Sequence, residues 1–81
     1  MKVTVQLFAR ARDLVGTDRV ELDVPSPGCV SDLKQSLASR FPQVSLLLPN
    51  LLVAVGTDYA DDRTPLAPNA EVACFPPVSG G

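Results

Sequence analysis

Apolar and polar residues alternate at two separate places near the start of the chain. From Lys2 to Phe8, Val3, Val5 and Leu7 fall on one side and Lys2, Thr4, Gln6 and Phe8 on the other; from Arg19 to Val24, Val20, Leu22 and Val24 oppose Arg19, Glu21 and Asp23. Period two is the mark of a strand with one buried face. Gly16-Thr17-Asp18 supplies a turn between them, and the Ala9 to Val15 stretch predicts a loop or a single helical turn. The period then changes. After the strand-breaking Pro25-Ser26-Pro27-Gly28, the residues Val30, Leu33, Leu37 and Phe41 recur at three- and four-residue spacing, which predicts a helix. Asp32 in its first turn and Arg40 in its last both suit the helix dipole, and Pro42 closes it.

The second half reads as strands again. Leu46-Leu47-Leu48-Pro49 predicts an apolar loop closing one end of the core, and Leu51 to Val55 a nearly continuous apolar strand bounded by Asn50 and Gly56. The polar stretch from Thr57 to Pro65 leaves room only for a short strand around Tyr59, and Glu71 to Phe75 forms the last one. Strand, strand, helix, strand, short strand, strand leaves one amphipathic helix to cover one face of a sheet. This is an α+β arrangement of the β-grasp, ubiquitin-like kind: a mixed sheet of four to five strands with one main helix on one face. Residues 1–75 are expected to form the domain, and 76–81 a flexible tail.

Composition narrows the chemistry. The 81 residues are 46% hydrophobic and 20% charged, enough apolar material for one small core and too little charge for a disordered chain. Seven Lys and Arg against nine Asp and Glu, with only Arg10 and Arg12 as a local cationic pair, argue against nucleic acid as a partner. No apolar run approaches the roughly 20 residues that span a bilayer, and the start carries no apolar signal segment, so no membrane partner and a cytoplasmic location are expected. The sequence holds no His, which excludes Ser-His-Asp and Cys-His catalysis. Cys29 and Cys74 are too few for a disulfide framework or a zinc site. Cys74 alternates with Val72 and reads as core; Cys29, near the helix start, reads as structural, with persulfide chemistry the lesser alternative. Asp58, Asp61 and Asp62 lack the spacing of a calcium loop and read as a solvated turn, so no metal site is expected.

The end of the chain, Phe75-Pro76-Pro77-Val78-Ser79-Gly80-Gly81, is the most informative segment. Proline cannot donate to a ladder, so Pro76 ends pairing and the two prolines favour an extended exit. From Pro76 to Gly81 such a segment reaches roughly 20 Å. Glycines at its tip let a narrow channel admit the backbone and let a reagent approach the carboxylate closely. Two consecutive terminal glycines arise by chance in about one chain in 200.

These residues, with Phe8-Ala9-Arg10-Ala11-Arg12-Asp13-Leu14-Val15-Gly16, Leu52-Val53-Ala54-Val55 and Glu71-Val72-Ala73-Cys74, resemble the small, sulfur-carrying subunits of molybdopterin synthase along essentially the whole chain. The resemblance implies that an E1-like adenylyltransferase uses ATP to adenylate Gly81, and that a persulfide donor converts the acyl-adenylate to a thiocarboxylate, leaving 1-thioglycine there. It also implies that Pro76, Pro77, Val78, Ser79 and Gly80 enter a large subunit, in an assembly of two small and two large chains, where sulfur passes to cyclic pyranopterin monophosphate. The small chain would bind no cofactor alone, and the catalytic side chains would be its partner's. If β-grasp strand order holds, Phe75, Phe8, Leu52 and Ala54 share the helix-free face and form a partner interface beside the tail. Arg12 is a weaker candidate for a partner contact. The chain departs from the family at Gly56, where Asn is common, and at Asn69-Ala70, where Gly-Asp is common; Asn69 can replace Gly in a left-handed turn. The remaining alternatives are a carrier for thiamine or tRNA thiolation, a protein modifier joined through Gly81, and an inert ubiquitin-like binding module.

Overall fold

The computed structural model describes residues 1–76. Strands β1 (Lys2–Leu7) and β2 (Arg19–Asp23) form where the alternation is cleanest, and they pair antiparallel with Val3 opposite Leu22 and Val5 opposite Val20. Between them the chain makes a seven-residue helix, α1 (Ala9–Val15), two turns where a loop or one turn was expected. Only Ala11 of α1 is buried. With one inward residue the segment carries no helical stripe to read, and it is held from its ends: Phe8 caps it in extended conformation, and Gly16, at φ 92°, donates its N–H to the Arg12 carbonyl in a left-handed close.

Helix α2 (Val30–Arg40) follows the short strand β3 (Gly28–Cys29) and buries Val30, Leu33 and Leu37 completely against the sheet. Asp32 stands in its first turn and accepts the Cys29 N–H at 2.9 Å, and Arg40 stands in its last. Pro42 ends the α-helix as expected, then opens the first of two 3-10 turns, Pro42–Val44 and Leu48–Asn50. Here the apolar-loop expectation needs correction. Val44 and Leu51 are buried and Leu47 and Leu48 lean on the core, but Leu46 is 88% exposed. Tight turns bring residues three apart onto one side, so Val44 and Leu47, then Leu48 and Leu51, face inward and Leu46 faces out.

The remaining strands are β4 (Leu52–Val55), β5 (Asp58–Ala60), β6 (Pro65–Leu66) and β7 (Glu71–Phe75). The main sheet runs β2-β1-β7-β4-β5, with β1 and β7 parallel and the other neighbours antiparallel, so it is the mixed five-stranded sheet of a β-grasp fold with α2 on one face. A separate pair, β3 with β6, was not foreseen. It clasps the start of α2, where Val30 and Ser31 donate to the Thr64 and Asp62 carbonyls and Lys34 reaches Asp62 at 2.7 Å. Asn69 takes the left-handed turn expected of it, at φ 64°, and Gly56 is left-handed as well, at φ 63°. At the outer edge of β2, three side chains donate to backbone carbonyls: Thr17 Oγ1 to Arg19 at 3.4 Å, Arg40 Nη1 to Glu21 at 2.6 Å and Ser36 Oγ to Asp23 at 2.9 Å. Among the described residues no helix is long and apolar enough to cross a membrane.

Candidate functional site: an aromatic face at the root of the chain end

Strand β7 lies in the middle of the sheet, and its side chains alternate between two environments. Val72 and Cys74 are buried under α2, while Glu71, Ala73 and Phe75 point to the helix-free side. Register extends that side across neighbouring strands: Phe75 opposes Leu52, and Ala73 opposes both Gln6 and Ala54. Phe8 is no longer in β1, but as the extended cap of α1 it keeps the strand's alternation and turns outward. The structure therefore brings Phe8, Leu52, Ala54 and Phe75 together on one face, with Phe8 45% and Leu52 37% exposed.

Sequence reading missed Tyr59. Gly56 and Thr57 make a two-residue turn, so Asp58 opposes Val55 and Tyr59 opposes Ala54, on the same face as Phe75. The polar run around Tyr59 hides it, although a left-handed residue between two short strands is the signal of such a hairpin. The Phe75 ring stands between two others, edge to face in both directions. Its centroid is 6.2 Å from that of Phe8 at 77° and 5.8 Å from that of Tyr59 at 70°. Such pairs hold rings rigidly. Floored by Ala54 and Ala73, this is a firm apolar platform that water covers poorly and a protein surface can cover well.

The other polar candidates are accounted for by folding. Burial pushes the Cys74 thiol up to about 12, opposed in part by the Lys34 charge, so at neutral pH it is an apolar core residue rather than a nucleophile. Cys29 Sγ donates to Asp32 Oδ2 at 3.4 Å and lies 3.2 Å from Ser31 Oγ at the start of α2. Asp61 accepts from the Arg63 N–H and the Thr64 hydroxyl of its own turn, and Asp62 holds Lys34. Among the described residues no three Cys, Asp or Glu side chains converge in a way that holds a metal ion. Arg12 is exposed and lies 3.6 Å from Asp13, and Arg10 is exposed beside it.

Pro76 is the last described residue; Pro77, Val78, Ser79, Gly80 and Gly81, the sequence candidates for the inserted segment and the reacting end, lie outside the described residues. The platform surrounds the point where the chain leaves β7. That arrangement offers a partner a surface to grip at the end of β7.

Comparison with known proteins bears on what that partner is. A model of the ThiS family matches residues 5–81. The molybdopterin synthase sulfur carrier subunit of Escherichia coli (strain K12) is 40% identical over 81 residues, covering 98% of this chain and 99% of that one. The molybdopterin synthase sulfur carrier subunit of Drosophila erecta is 38% identical over 84 residues, covering 100% of this chain and 92% of that one. Among solved structures, that of SAMP1 from Haloferax volcanii matches with a TM-score of 0.89 at 27% identity, covering 100% of both chains.

Proposed function

Because this chain belongs to the ThiS family, we propose that it carries sulfur on Gly81 for the synthesis of molybdopterin. The observation that carries the reading is the placement of Phe75: the strand feeding the Pro-Pro-Val-Ser-Gly-Gly segment leaves the sheet at the centre of an exposed aromatic platform. The names of the two relatives support the pathway.

The chemistry asks little of the fold. A Gly81 carboxylate oxygen attacks the α-phosphorus of ATP on an E1-like adenylyltransferase, and pyrophosphate leaves. The resulting mixed anhydride has AMP as a good leaving group, which a persulfide sulfur displaces. A thiol on the donor side then cleaves the sulfur–sulfur bond, becomes a disulfide, and releases the thiocarboxylate. The platform next docks on the large subunit, and residues 76–81 pass into its active site, where the sulfur is transferred to cyclic pyranopterin monophosphate. The small chain contributes a stable body, two successive dockings and an unhindered end, and binds no cofactor itself. Two small and two large subunits form the assembly, in the cytoplasm.

A second reading, attachment of the chain to lysines through Gly81, is favoured by the likeness to the H. volcanii protein, which is named a small archaeal modifier protein. Intact-mass analysis after incubation with the E1-like enzyme, ATP and a sulfur donor separates the two. Replacement of one oxygen by sulfur at Gly81 supports the carrier, an isopeptide adduct supports the modifier, and an unchanged mass overturns both. Pterin precursor converted to a dithiolene when the large subunit is added assigns the pathway; sulfur loading without conversion removes it.

A further inference from the structure

The ladder around β7 has a strict parity. Even-numbered residues turn their backbone groups to β1: the Ala70 carbonyl accepts from Thr4, and the Cys74 carbonyl accepts from Phe8. Odd-numbered residues turn theirs to β4, as when the Glu71 carbonyl accepts from Gly56. A strand continuing past Phe75 would next present the N–H of residue 76 to the Phe8 carbonyl.

The β1 flank offers one more acceptor and little else, and the β4 ladder ends at the Leu52–Phe75 pair. On the β1 side, Ala9 at φ 52° swings the chain away into α1, and the Phe8 carbonyl is held only by a 3.4 Å bond from Arg12. On the β4 side, the Asn50 N–H is already given to Leu47 at 3.1 Å, within a 3-10 turn. The sequence places proline at that donor position, 76.

We propose that Pro76 is a positioning residue that uncouples the chain end from β1 at Phe8. Polyproline stiffness alone needs proline but no particular register. The parity supplies one, since position 76 is where the next N–H of the strand would face β1 and find the Phe8 carbonyl. The value of the device rests on the carrier reading, in which this segment must be free to enter a partner. A segment zipped to its own sheet would have to be peeled away at every transfer.

Amide exchange in the full-length, isotope-labelled chain tests this. In Pro76→Ala the new amide is expected to exchange at least about tenfold more slowly than in an unstructured peptide, with the Phe8 carbonyl shift displaced and that of Asn50 unmoved. In Pro77→Ala, where Pro76 still lacks its N–H, the Phe8 carbonyl shift is expected to stay at its wild-type position. A Phe8 response confined to Pro76→Ala supports the proposal. A residue-76 amide exchanging at the unstructured rate, while Val72 stays protected, overturns it, as does one response common to both variants. The measurement uses the free chain, so failure of sulfur loading leaves it untouched, and wild-type sulfur loading is unaffected by its outcome.

Discussion

Phe75 and Tyr59 sit 16 residues apart in sequence and meet edge to face at 5.8 Å, across a strand that belongs to neither of them. The contact exists because the Gly56-Thr57 turn brings β5 back beside β4 in a register that puts Tyr59 on the helix-free side. It fixes the ring that marks the end of β7.

The docking role proposed for the platform gives the first prediction. Phe75→Asp places a charge in the middle of the face without touching the α2 side of the sheet, so the domain should still fold, with a melting temperature lowered by the loss of the two ring contacts. Affinity for the large subunit should fall by about tenfold or more, the loss typical of a central interface aromatic. Tyr59→Ala should weaken binding in the same direction. Unchanged calorimetric affinity for both variants would remove the platform from the interface.

Gly28 should not tolerate a side chain. A β-carbon there would overlap the Pro25 carbonyl oxygen and press on Val24 Cγ1, and neither neighbour is the free end of a flexible side chain. Gly28→Ala is expected to destabilise by about 1–3 kcal/mol. In a domain this small, each kcal/mol lowers the melting temperature by about 4–8 °C. A thermal melt unchanged from wild type would contradict the close packing at the β3 clasp.

Cys74 makes the fold sensitive to alkali. Its thiol ionises near 9.0 when exposed and near about 12 when buried. The native state therefore keeps a proton that the unfolded chain releases. Its contribution to stability is complete below pH 9, and between those values is lost at about 1.4 kcal/mol per pH unit. Urea unfolding across that range should show the slope, and Cys74→Ala should flatten it even though its overall stability is lower. An equal slope in the variant would refute the assignment.

Much of this architecture is legible in the order of residue types. Val3, Val5 and Leu7, Val20, Leu22 and Val24, and Val30, Leu33 and Leu37 each keep one period long enough to declare strand or helix, and all nine are buried. What escaped reading lacks a period. Helix α1 buries only Ala11, and the β3–β6 pair has two residues on each side, one of them Pro65. Leu46 looks like its neighbours until the 3-10 geometry turns it outward. Within the candidate face, Phe8, Leu52, Ala54 and Phe75 follow from strand alternation combined with β-grasp strand order. Tyr59 depends on where a two-residue turn sets the register, a tertiary fact carried by a run that otherwise looks solvated.

The side chains of Thr17, Ser36 and Arg40 along β2 have a consequence for life between partners. An open border of backbone oxygens invites a second molecule to zip on, and such zipping continues indefinitely. With those oxygens already engaged, the β2 border presents no free row of acceptors, and a second copy finds nothing there to zip onto.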